Sequence, residues 1–181
     1  MSANHPEPPT HRTHAVPPVF PASWRLAKAD RTLRLFITAF LLAITTGYSI
    51  GILFVDHTTS GTPDGVAAEF RGNEGHAGEA EMKFEKGPRE IYTLLHNHIF
   101  SLSIAFFCVG GIFYFSSVPR GLKAFLLVEP FIAILTTFGG IWLTRFVSPG
   151  FSWLVMVSGL SMLGCYAVII LHILKELWLM R

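Results

Sequence analysis

Two ionisable side chains, Glu129 and His172, lie inside stretches that are otherwise apolar. An acid or imidazole in such surroundings is costly, and it is kept there to bind, to carry a proton or to hold helices together. Glu129 falls about seven residues into one apolar stretch, and His172 about seven before the end of the next. If the two stretches are antiparallel helices, a rise of ~1.5 Å per residue gives the side chains similar depth and makes them a buried polar pair. Helical phase agrees. Ala133, Thr136, Thr137, Gly140 and Thr144 follow Glu129 at steps of three and four, and Ser158, Ser161, Cys165 and Val168 precede His172 in the same way. Pro130, directly after Glu129, frees a backbone carbonyl one turn earlier. A pair beside such a kink could conduct a proton or a small solute. The plainer alternative is a buried hydrogen bond that fixes packing.

Three further histidines, His57, His96 and His98, fall near the opposite end of the apolar stretches. Together they could ligate a metal, or two of them could be the axial ligands of a haem b. Positions two apart on a helix differ by about 200°, so His96 and His98 cannot aim at one point. His96 shares its face with the small residues Ser103, Gly110 and Ser117 and is expected to point inward. His98 shares its face with Leu102, Ala105 and Val109 and is expected to face a partner or the headgroups. Histidines at a membrane interface also occur without any ligand. No Cys-x-x-Cys-His is present, so covalent c-type haem is not expected.

The elements that must position these groups follow from hydropathy. The chain is 51% hydrophobic and 14% charged, against the roughly 25% charge of a soluble domain. Its mean hydropathy is +0.47. Four stretches reach the ~20 apolar residues that a membrane crossing needs: about Leu33 to Val55, Ile91 to Phe115, Leu122 to Leu143 and Phe151 to Leu179. The expected fold is an all-α, integral membrane four-helix bundle. Arg25, Lys28, Arg31 and Arg34 lie before or at the start of the first stretch, Arg120 and Lys123 at the short second connection, and Lys175 and Arg181 near the end of the chain. That distribution predicts both termini in the cytoplasm. The segment from about 56 to 90 is then an outer loop, with eight acidic and four basic residues (4 − 8 = −4). Within it Thr62-Pro63 reads as a helix start and Gly72 as its end, and Pro88 begins the second crossing.

Residues 1–30 read as a disordered cytoplasmic tail and 31–181 as the transmembrane domain. His5, His11 and His14 in that tail could bind a metal, although the tail reading needs none. Cys108 and Cys165 lie in apolar stretches and read as small buried residues. Ala43, Gly47 and Gly51 form a small-xxx-small stripe, suited to close packing on a neighbouring helix. A net charge of +2 gives no case for nucleic acid.

Phe70-Arg71-Gly72-Asn73-Glu74, Met82-Lys83-Phe84, Arg89-Glu90-Ile91, His96-Asn97-His98-Ile99, Val128-Glu129-Pro130-Phe131 and Trp142-Leu143-Thr144-Arg145 resemble segments of small four-helix bacterial inner-membrane proteins of unassigned function. The resemblance spans about Leu33 to Trp178. It implies a multi-pass protein of the bacterial plasma membrane. No nucleophile–base pair, phosphate loop or metallohydrolase spacing is present, so independent catalysis is not expected. The leading expectation is a non-catalytic membrane subunit, of an electron-transfer complex if the outer histidines hold haem or metal. A cofactor-free accessory or assembly subunit that docks a periplasmic partner is the alternative, and a proton or solute conductor built on Glu129 and His172 is the third. Its partners are the lipid bilayer and other membrane or periplasmic subunits.

Overall fold

A computed structural model describes residues 25–73 and 82–180. His5, His11, His14, Glu74, Glu79, Glu81 and Arg181, together with most of the expected tail, lie outside the described residues. Among the described residues every regular element is helical: α1 (Arg31–Thr59), α2 (Pro63–Arg71), α3 (Pro88–Tyr114), α4 (Arg120–Phe146) and α5 (Ser152–Trp178). α1, α3, α4 and α5 are each long and apolar enough to cross a membrane.

The boundaries follow local chemistry. Asp30 caps α1 by accepting the Leu33 N–H at 2.7 Å. Ser60 and Gly61 then turn through positive φ, and Thr62 accepts the Gly65 N–H at 3.0 Å to start α2 on Pro63. Gly72, at φ 81, ends α2, and a side chain there would meet the Glu85 backbone at 2.9 Å. Glu90 accepts the Gly87 N–H at 2.7 Å and fixes the start of α3. A single 3₁₀ turn, Pro149–Phe151, joins α4 to α5. Residues 25–30, read from sequence as the end of a tail, instead carry a 3₁₀ turn. Leu26 in it is buried and its N–H donates to the Phe115 carbonyl.

α4 and α5 form the central antiparallel pair, and α3 packs against both. The 3₁₀ turn, the α3–α4 connection and the end of α5 gather at one end, here the terminal end. α2 and the α4–α5 turn lie at the other, here the capped end. α1 is the least embedded of the four, with 11% of its apolar window buried against 44% for α4. Its first half holds on through Ile37 and Leu41. From Ser49 to His57 every residue is exposed, so more than two turns of α1 stand clear of the rest of the chain. The Gly47 and Gly51 positions have nothing within 4 Å, so the small-residue stripe does not pack inside this chain.

Candidate functional site

The polar groups of the bundle sit in three layers. In the middle layer the Ser161 hydroxyl donates to Glu129 Oε1, and Cys165 lies beside the same carboxylate. Glu129 Oε2 is buried without a hydrogen bond among the described residues. Tyr48 of α1 comes within reach of this charge. Its ring stacks on Tyr166 at 4.3 Å, and the Tyr166 hydroxyl meets Thr45 at 2.9 Å. Phe106 of α3 sets its edge against both tyrosine rings. A carboxylate, two phenols, a thiol and two hydroxyls thus share one level of an otherwise apolar bundle.

His172 is not in that layer. Thr137 meets Ser158 at 2.7 Å, and Gly140 faces Val155. Counting eight residues back from Thr137 and eight on from Ser158 brings Glu129 level with Tyr166. His172 lies six residues further, roughly 9 Å along the axis. Its Nδ1–H donates to the Val168 carbonyl at 2.9 Å, and its ring meets the edge of Phe113. The structure therefore gives Glu129 and His172 separate partners. The estimate of equal depth counted from the ends of the apolar stretches, whereas the single-turn connection between α4 and α5 sets a different register.

At the capped end the histidines also separate. His98 turns to α4, with its ring 5.3 Å from that of Phe138 and its Nδ1–H on the Leu94 carbonyl. His96 stacks only on Phe100 of its own helix, 6.3 Å away, and is exposed. Both rings are exposed, but it is His98 and not His96 that reaches α4, where the small-residue stripe predicts His96. α3 turns its larger residues inward, along Ile91, Phe106, Val109 and Phe113, and His98 falls on that side. His57 is exposed on the free part of α1. Among the described residues no group of three His, Cys, Asp or Glu side chains is arranged to hold a metal ion.

The capped end is closed by charge. Arg71 donates to the Thr144 and Arg145 carbonyls, both at 3.1 Å, and so satisfies the C-terminal end of α4. The Lys83 ammonium does the same at the Thr58 carbonyl of α1. Glu69 binds Lys86 at 2.8 Å and Lys83 at 3.5 Å, while Arg145 pairs with Glu85 and donates to the Lys86 carbonyl. Of this segment's five acids among the described residues, Glu69, Glu85 and Glu90 are engaged, and Asp56 and Asp64 have no hydrogen bond or ion pair there.

Sequence reasoning missed Glu176. It is 3% exposed at the terminal end, and its Oε1 accepts both the N–H and the hydroxyl of Ser117, at 2.6 and 2.7 Å. Its phase was legible, since Ser158, Met162, Cys165, Ile169, Ile173 and Glu176 recur at steps of three and four. Its place beside Lys175 in the last turn makes it look like an ordinary surface acid. Nearby, Lys123 closes the end of α3 on the Tyr114 and Ser116 carbonyls, at 2.9 and 2.6 Å.

Four helices long and apolar enough to cross a bilayer, with hydroxyl and carboxylate contacts between α4 and α5, define a multi-pass membrane protein. The chain belongs to the Aq_1264_TM family, a transmembrane helical domain that it matches over residues 60–181. That span takes in α2 to α5 and leaves out α1. No curated protein and no solved structure matches the chain.

Proposed function

We propose that the protein is a non-catalytic subunit of the bacterial inner membrane, with both termini cytoplasmic, that assembles with another membrane-embedded chain through α1 and α3. The observation that carries this is the exposure of His96 and Asn97. They sit eight and nine residues after Pro88, roughly 12–14 Å along α3. Polar side chains that face hydrocarbon at such depth are costly, and a partner helix with donors and acceptors removes the cost. The free half of α1, Ser49 to His57, lies in the same half of the bundle and offers a second, apolar contact surface. The orientation is supported by the free cations Arg25, Lys28, Arg31, Arg120 and Lys175 at the terminal end, where the capped end has most of its cations engaged.

The full chain, carrying a photo-crosslinking residue at Asn97, at Leu53 or at the lipid-facing control Leu171, tests the proposal in native membranes. Protein adducts at the first two positions and only lipid at the third are expected. The same lipid labelling at all three would overturn it. The exposure of His96 favours a second reading, in which the assembly transfers electrons and His96 is the haem ligand offered across the interface. His96→Ala would then remove the haem bands from the reduced-minus-oxidised spectrum of the intact assembly, and His98→Ala would leave them. Bands unchanged in His96→Ala would exclude that ligand.

A further inference from the structure

Between α1 and α3, in the terminal half of the bundle, runs a cleft of about 460 Å³. Leu33, Phe36 and Phe40 line it from α1, and Cys108, Gly111 and Ile112 from α3. These walls offer hydrocarbon, aromatic rings and one thiol. The volume is of the order that small-molecule sites reach. The lining runs from Leu33 to Phe40 on α1 and from Cys108 to Phe115 at the end of α3, eight positions each and roughly 10 Å along the axis. Gly111 keeps one wall open, since a side chain there would meet nothing within 4 Å.

Leu26, in the docked 3₁₀ turn, belongs to the same lining. Its chain neighbours Arg25 and Lys28 are exposed, as is Arg31 in the first turn of α1. None of the three side chains has a hydrogen bond or ion pair among the described residues. Arg34 differs, because its guanidinium is spent on the Ala27 and Ala29 carbonyls at 2.9 and 2.8 Å. Asp30, the neighbouring acid, caps Leu33. Arg31 lies on the side of α1 opposite Leu33, Phe36 and Phe40, so Arg25 and Lys28, on the turn that carries Leu26, are the uncommitted cations at the open end of the cleft.

We infer that this cleft binds one anionic phospholipid, with an acyl chain between α1 and α3 and the phosphate held by Arg25 and Lys28. A dry apolar slot is filled well by a hydrocarbon chain. Cations at the headgroup level add attraction for an anionic lipid, which salt weakens. A zwitterionic lipid fills the slot equally and gains little from the cations. The site is independent of the partner surface proposed above, which lies in the other half of the bundle.

Native mass spectrometry of the full chain tests this with phosphatidylglycerol and phosphatidylcholine of identical acyl chains. One retained phosphatidylglycerol, preferred by about tenfold, is expected. Gly111→Leu fills the cleft and should abolish retention, whereas Gly164→Leu, on an open face of α5, should not. Replacing Arg25 and Lys28 together by Gln should keep lipid binding and bring the preference near parity. Equal binding of both lipids to the unmodified chain, or wild-type retention in Gly111→Leu, overturns the inference. A phosphatidylglycerol with a diazirine in its acyl chain gives a second readout. Adducts concentrated on 108–115 support the site, and equal labelling of 160–168 reduces it to ordinary lipid contact. Crosslinking of Cys108 between two copies, with the probe excluded, would hand the cleft to a second copy instead.

Discussion

Glu176 accepts the backbone N–H and the hydroxyl of Ser117 on a single carboxylate oxygen, and so ties the end of α5 to the α3–α4 connection. Removing a buried acceptor leaves its donors unsatisfied, at a cost of ~1–3 kcal/mol. Glu176→Ala should lower stability by that amount, while Glu176→Gln, which keeps an acceptor oxygen, should lower it less. Thermal unfolding in detergent measures both. An Ala variant as stable as the wild type would show that the contact contributes nothing.

The Thr137–Ser158 bond is the buried hydroxyl pair of the α4–α5 seam. A double-mutant cycle with Thr137→Val and Ser158→Ala should return a coupling of about 0.6 kcal/mol, the usual scale for such bonds between membrane helices. Additive losses would mean that each hydroxyl is satisfied by its own helix; Ser158 also bonds the Leu154 carbonyl.

His98 and His96 should behave differently when replaced. His98→Ala removes the ring that packs on Phe138 and should destabilise the isolated chain by about 1 kcal/mol. His96→Ala should leave the isolated chain as stable as before and weaken crosslinking from Asn97 to the partner. A stability loss confined to His96→Ala would invert this assignment.

Two glycines give a sharper contrast. A side chain at Gly65 would lie 1.8 Å from the Thr59 carbonyl oxygen, which is backbone and cannot step aside. Gly65→Ala should therefore push the start of α2 off the end of α1, with a loss of about 2 kcal/mol or more. Gly47→Ala meets nothing within 4 Å and should be neutral, or stabilising by up to ~1 kcal/mol through helix propensity. Limited proteolysis of the cap separates the two variants.

The sequence makes the elements legible but not their mutual placement. Length and hydropathy locate the four crossings to within a few residues, and Thr62, Pro63, Gly72 and Pro88 mark their roles because capping and turn chemistry are local. Which face of a crossing turns inward is harder to read, because lipid is as apolar as the core and inward and outward faces carry similar residues. The small stripe holding His96 therefore looks like the packed face, yet only its Gly110 is buried, beside the larger Ile91, Phe106, Val109 and Phe113. Register fails for a related reason. Depth counted from the ends of the apolar stretches brings Glu129 to His172, but α4 begins two residues before its stretch and α5 ends one residue short of its own, so stretch ends do not mark equal depth. The side-chain pair Thr137–Ser158 fixes the offset, and it is a long-range contact.

The seam between α4 and α5 also bears on how the chain enters the bilayer during synthesis. Glu129 on one helix and Ser161 on the other, like Thr137 and Ser158, reach their interhelical partners only when both helices are present. α4 arriving alone would hold a carboxylate in hydrocarbon without its partner, at a cost of about 2.5–3.5 kcal/mol on insertion scales. The single-turn connection allows α5 to follow at once as a helical hairpin, and the two helices are expected to enter lipid as one unit. α1 has little to wait for and can insert by itself.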